Sequence, residues 1–136
     1  KAFAQISGEL RKYADESVKN LFAPASLENK MKEIDFIRQT ILKAEPENVC
    51  KTLLALANRK ETCYALGKLN IPVLILVGSE DKVTPPAAAQ FMHEQSRGSE
   101  LHTIEGAGHV SNLENPEQFT VLLNQFLETV TTNTVL

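Results

Sequence analysis

The spacing of apolar positions changes once along this chain, near Gly67. Before that point it has the period of a helix. Ala2 to Leu21 is rich in good helix formers, and Phe3, Ile6, Leu10, Tyr13 and Ala14 recur at helical intervals. Ala23-Pro24-Ala25-Ser26 interrupts the pattern and leaves Ser26 placed to cap the next helix. That second predicted helix runs from Leu27 to Lys43, with Met31, Ile34, Ile37, Ile41 and Leu42 along one face. Pro46 suits the first turn of a third helix reaching about Asn58, in which Val49, Cys50, Leu53, Leu54 and Ala57 are apolar. A short helix from Glu61 to Leu66 closes at Gly67.

After Gly67 the pattern is that of an α/β unit. Pro72 to Val77 is apolar throughout, rich in β-branched residues and too short for a typical helix, so it predicts a strand buried on both faces of a parallel sheet. Pro85-Pro86 opens a helix to about Ser96, Arg97-Gly98-Ser99 turns the chain, and Glu100 to Ile104 is a second strand. Pro116 opens a final helix with Phe119, Leu122, Leu123, Phe126 and Leu127 facing inward, and Thr131 to Leu136 is expected to fray. The predicted order is four helices followed by β-α-β-α. The two strands should be parallel and joined by a right-handed crossover. The fold class is α/β, with a helical segment over 1–66 and an α/β segment over 67–136.

Composition narrows the class without naming a function. The 136 residues suffice for one domain, and 43% hydrophobic with 23% charged is ordinary for a globular chain. A net charge of −3 offers no basic surface for nucleic acid or an anionic membrane. The longest apolar run, Ile71 to Val77, falls far short of the roughly 20 residues that span a bilayer. Cys50 and Cys63 match no zinc spacing and are expected to be reduced core thiols of a cytoplasmic protein. No pair of histidines has ligand spacing, so no metal is expected. No phosphate-binding glycine loop is present either, so no cofactor is expected. The chain opens on Lys1 without an initiator Met, which fits a cut or truncated product.

The candidate chemistry lies past the ends of the two strands. Parallel neighbours place Asp81, in the loop after the first strand, and His109, in the glycine-containing loop after the second, on one edge of the sheet. A carboxylate there could fix the tautomer of an imidazole, which could then act as general base for a nucleophile. Gly106 and Gly108 suit a sharp turn with positive φ before the histidine. Glu80 is the alternative acid. His93, mid-helix, and His102, in the strand, read as structural. Ser79 and Ser111 flank the candidates but stand in no strained strand-to-helix turn.

From Ile71-Pro72-Val73-Leu74-Ile75-Leu76-Val77-Gly78-Ser79-Glu80-Asp81 to Gly106-Ala107-Gly108-His109-Val110-Ser111-Asn112-Leu113-Glu114-Asn115-Pro116, the chain resembles the C-terminal part of the α/β-hydrolase fold family. The resemblance implies that Asp81 is the acid and His109 the base of a catalytic triad. Residues 1–66 are similar to the helical cap that many members carry. Leu21-Phe22-Ala23-Pro24 and Arg59-Lys60-Glu61 resemble the lactonase- and esterase-like branch. The implied partner is a small-molecule acyl substrate.

No Gly-x-Ser-x-Gly, the family's nucleophile elbow, occurs in the 136 residues. Two functions remain open. One is the back part of a serine-type hydrolase of esters, lactones or similar acyl bonds, inactive alone. The other is a non-catalytic binding or interaction module on the same scaffold. Either way, two parallel strands form a marginal sheet with an open edge. That edge, Val73 to Val77, should be covered by self-association or by the missing half of the fold.

Overall fold

The computed structural model describes residues 2–133 of the chain, and side chains from Glu9 to Thr132. The element order is α1 (Ala2–Leu21), α2 (Pro24–Asn29), α3 (Met31–Leu42), α4 (Pro46–Ala57), a 3-10 helix (Cys63–Lys68), β1 (Leu74–Gly78), α5 (Pro86–Gln95), β2 (Glu100–Ile104), α6 (Ser111–Glu114) and α7 (Pro116–Asn133). The strands pair in parallel with Leu74 opposite Glu100 and Gly78 opposite Ile104, so both C-terminal ends lie on one edge. Helices α5 and α7 both pack against the two strands. The crossover between the strands runs through α5, and prolines open α2, α4, α5 and α7 where their missing N–H has no intrahelical use.

Several expectations need correction. The helix expected from Leu27 to Lys43 is two helices. Pro24 starts α2 rather than only ending α1, and the chain bends at Lys30, with φ −113° and ψ 46°. Ser26 is therefore buried inside α2 and caps nothing by its side chain. Its carbonyl instead accepts the Lys30 N–H at 2.8 Å. The short helix α6 is absent from the sequence reading, because four residues between a loop and Pro116 carry no periodicity. The first strand is set back to Leu74–Gly78, and only Ile75, Val77 and Gly78 are fully buried in it. The final helix continues through Asn133, so Thr131 to Asn133 is not frayed, and residues 134–136 lie outside the described residues.

Burial follows the sheet and one stripe of α1. Ile75, Val77 and Ala89 form a buried cluster with Val73 and Leu101 against it. On α1, Leu10, Ala14 and Val18 are buried at successive i, i+4 steps, while Tyr13 is exposed. Phe3 and Ile6 lie outside the described side chains. Phe22, just past the end of α1, is 1% exposed, and burying a side chain of that size contributes about 1.5–3 kcal/mol. Met31 and Leu127, expected inside, are exposed. Cys50 and Cys63 are both free thiols, as expected, but Cys50 is exposed and Cys63 only half-buried, so neither is a core residue. For the helical segment the reason is shared: among the described residues α3 packs chiefly on α1 and α2, and α4 chiefly on α1, which leaves their other faces sparsely covered. Leu53, Leu54 and Leu56 of α4 are exposed accordingly. No helix among the described residues is long and apolar enough to cross a membrane.

Two glycines decide how closely the backbone segments approach. A Cβ on Gly78, at the end of β1, would stand 2.1 Å from the Gly108 carbonyl oxygen and 2.3 Å from that of Ala107. A Cβ on Gly108 would stand 2.7 Å from the Leu21 carbonyl oxygen and from the Ala23 nitrogen. Gly106 has the expected positive φ, 67°, but Gly108 does not. Gly108 is needed for close approach instead.

Gly78→Ala is expected to lower unfolding stability by about 3 kcal/mol or more in urea titration, beyond the usual overpacking range because the contacts are backbone atoms. Gly67→Ala, whose Cβ would meet only the Gln95 carbonyl at 3.3 Å, should change it far less.

Candidate active site

Asp81 sits three residues beyond β1 in a loop that is organised around its carboxylate. Oδ1 accepts the backbone N–H of Val83 at 2.8 Å and of Thr84 at 2.9 Å. Oδ2 accepts the Thr84 hydroxyl at 2.8 Å and faces His109 Nδ1 at 2.9 Å. The acid side chain is 5% exposed and the imidazole 35%. Burial pushes the Asp81 carboxyl up, but the hydrogen bonds from the Thr84 N–H, the His109 ring, the Thr84 hydroxyl and the Val83 N–H outweigh it and hold it below the usual carboxylate range. An ionised carboxylate only accepts, so the hydrogen between the pair resides on Nδ1, and in the neutral imidazole Nε2 then carries the lone pair. An imidazole held in this tautomer by a buried acid can take a proton at Nε2.

The loop that carries His109 is pinned by its backbone. Ser79 N–H donates to the Ile104 carbonyl at 3.0 Å and Glu80 N–H to the Ala107 carbonyl at 2.9 Å, joining the acid loop to the histidine loop. The Ser79 hydroxyl oxygen accepts the Gly106 N–H at 2.9 Å. On the other side, His109 N–H donates to the Leu21 carbonyl at 2.7 Å.

Asp81, Thr84 and His109 open onto a cavity of about 230 Å³ with Val77, Ala88 and Met92 on its wall. Ser111 also lines it, yet neither Ser79 nor Ser111 is hydrogen-bonded to His109 among the described residues. Glu80 is exposed and takes no part in the pair. His93 Nδ1 lies 2.7 Å from the Ser99 hydroxyl at the end of α5, and His102 lies 3.4 Å from Glu100 on the surface. No group of three or more His, Cys, Asp or Glu side chains among the described residues is placed to hold a metal ion.

Two participants escape the sequence reading. Thr84 touches both members of the pair, its hydroxyl oxygen standing 3.2 Å from Nδ1. A hydroxyl residue three positions after an aspartate in a turn is a local signal that could have found it. Glu114 is 5% exposed and holds the backbone beside His109, and nothing local distinguishes it from a surface glutamate.

This pairing of a buried acid with a histidine at the ends of parallel strands defines a class. The chain matches the alpha/beta hydrolase family over residues 4–121 and belongs to that family. It is similar to a pimeloyl-[acyl-carrier protein] methyl ester esterase of Neisseria meningitidis, 35% identical over 74 residues, covering 54% of this chain and 24% of that protein. It is also similar to 3-oxoadipate enol-lactonase 2 of Acinetobacter baylyi, 31% identical over 98 residues, covering 72% of this chain and 36% of that protein. In three dimensions it is similar to a thermophilic esterase from Thermogutta terrifontis, with a TM-score of 0.83 and 30% identity over 93% of this chain and 48% of that one. The chain thus spans about a quarter to a third of these two curated relatives and about half of the solved esterase.

The lowered pKa of Asp81 has a definite consequence for stability. A carboxylate with a lowered folded value stabilises the fold above the ordinary carboxylate range and loses that contribution as pH falls through the folded value. Asp81→Asn should therefore cost about 1–3 kcal/mol in urea at pH 7 and flatten the loss of stability below about pH 4. Equal acid slopes for the two proteins would contradict the assignment of this group as ionised.

Proposed function

We propose that this chain supplies the acid and the general base of a hydrolase that cleaves an ester, lactone or similar acyl bond. The observation that carries the reading is the buried Asp81 carboxylate 2.9 Å from Nδ1 of a partly exposed His109 at the edge of a cavity. The esterase and enol-lactonase names of the relatives agree with acyl C–O chemistry. In this reading Nε2 of His109 takes the proton of a serine hydroxyl as its oxygen adds to the acyl carbon. The imidazolium, stabilised by Asp81, returns that proton to the leaving oxygen. Water then repeats the sequence on the acyl-enzyme. The serine and the oxyanion donors come from outside the 136 residues, since no Gly-x-Ser-x-Gly occurs within them.

The same reading takes residues 1–66 as a cap over the site and 67–136 as part of the catalytic core. The small-molecule acyl substrate would bind between them and the remaining core. The free thiols of Cys50 and Cys63 suit a reducing compartment, and the cytoplasm is the proposed location. In the described residues β1 pairs on one side only, so its other edge, at Val73 to Val77, is the proposed contact for the rest of the core or for a second copy.

Three measurements test these statements. In the full gene product, assayed on p-nitrophenyl esters, His109→Ala should lower kcat by about 10²-fold or more. An unchanged kcat would remove His109 from the chemistry. The 136-residue chain alone should hydrolyse the same esters no faster than buffer. By light scattering at micromolar concentration the chain alone should self-associate, and a strictly monomeric species would count against the open-edge proposal.

A further inference from the structure

Glu114 is a buried carboxylate that the proposed chemistry does not use. It closes α6, the four-residue helix after the histidine loop, and is 5% exposed. Oε1 accepts the Gly108 N–H at 2.8 Å, and Oε2 accepts the Ala23 N–H at 2.7 Å. No ion pair among the described residues involves it. A buried carboxylate is retained in a fold only where its lone pairs are well used, and here both oxygens are used by backbone N–H groups, one of them 91 residues away.

The two donors are not arbitrary. Gly108 immediately precedes His109, and Ala23 lies two residues past Leu21, whose carbonyl accepts the His109 N–H at 2.7 Å. Glu114 therefore closes a ring: Leu21 to Ala23, across its carboxylate, to Gly108 and His109, and back to Leu21. The segment approach is tight, since a Cβ on Gly108 would stand 2.9 Å from the Phe22 carbonyl carbon. Within that ring the backbone at Gly108 and His109 is hydrogen-bonded through both of its N–H groups, and Nδ1 meets Asp81 from there.

We propose that Glu114 is a positioning residue for His109: it ties the histidine backbone to the end of α1 and thereby keeps Nδ1 on the Asp81 carboxylate. This rests on the reading of Asp81 and His109 as an acid–base pair. It also couples the helical segment to the site, because any movement of Leu21–Ala23 is transmitted to the peptide of His109 through two hydrogen bonds to one side chain. The chemistry of the substitution is specific. Both partners of Glu114 are donors, so a glutamine carboxamide offers one acceptor and sets its own N–H against the other donor.

The test reads the tautomer of His109 in the uniformly 15N-labelled chain, from ring nitrogen chemical shifts at a pH where the imidazole is neutral, with Tm measured beside it. Wild type should be mainly Nδ1–H, and Asp81→Ala should shift it toward Nε2–H. Glu114→Gln should lower the Nδ1–H fraction at least about twofold, since the acceptor no longer sits where the ring nitrogen points. Glu114→Asp keeps both oxygens but retracts them by one methylene, and should give a smaller fall in the same direction. It decides the matter if the Gln variant does not fold. A tautomer that responds to Asp81→Ala but to neither Glu114 variant, whatever happens to Tm, makes Glu114 a purely structural residue and overturns the proposal. A tautomer indifferent to Asp81→Ala overturns the underlying acid–base reading, and this inference with it.

Discussion

The site depends on a close backbone approach. The loop from Glu105 to Val110 lies between the end of β1 on one side and the Leu21–Ala23 segment on the other, and glycine is required at both contacts. At Gly78 and Gly108 there is no room for a side chain, so apolar packing alone does not hold the gap. It is held by N–H groups donating across it: Glu80 to Ala107, His109 to Leu21, and Gly108 and Ala23 to the two oxygens of Glu114. A hydrogen bond to a charged acceptor contributes about 1.5–3 kcal/mol, so the two on Glu114 are large beside the stability of a small domain.

The two halves of the pair are built differently. The acid loop is mostly local: Asp81 gathers donors from residues 83 and 84 close by, and Ser79 and Glu80 tie the loop to the histidine loop. The histidine loop is non-local. Its backbone is placed by β1, by the segment after α1 and by α6, which are far apart in sequence. Loss of order in the helical segment would therefore reach His109 before it reached Asp81.

The apolar side chains left outside mark where the chain's own contacts stop. Leu53, Leu54 and Leu56 are exposed on α4, and Met31 and Phe36 on α3. Exposed leucines taken singly are ordinary, but here they are grouped on α4, and among the described residues β1 is paired on one side only. Helices α5 and α7 each pack against both strands of the parallel pair.

Much of this is legible in the residues. The five apolar residues between Pro72 and Gly78, three of them β-branched, are too short a run for a helix and read as a strand, and the second strand, Glu100–Ile104, has the bounds its sequence predicts. Parallel pairing follows from a helical crossover, and it alone brings Asp81 and His109 to one edge. Other features could not be read. The break at Lys30, the exposure of Cys50 and the burial of Glu114 depend on which elements lie alongside, and identical residues elsewhere would be continuous helix, core thiol and surface acid. By itself the sequence determined the order of the main elements, the bounds of the second strand and the two residues that meet past the strand ends, because periodicity and turn chemistry are local. The tertiary structure decided how tightly they meet and what holds them, because close backbone approach and the burial of a charge are properties of neighbours distant along the chain.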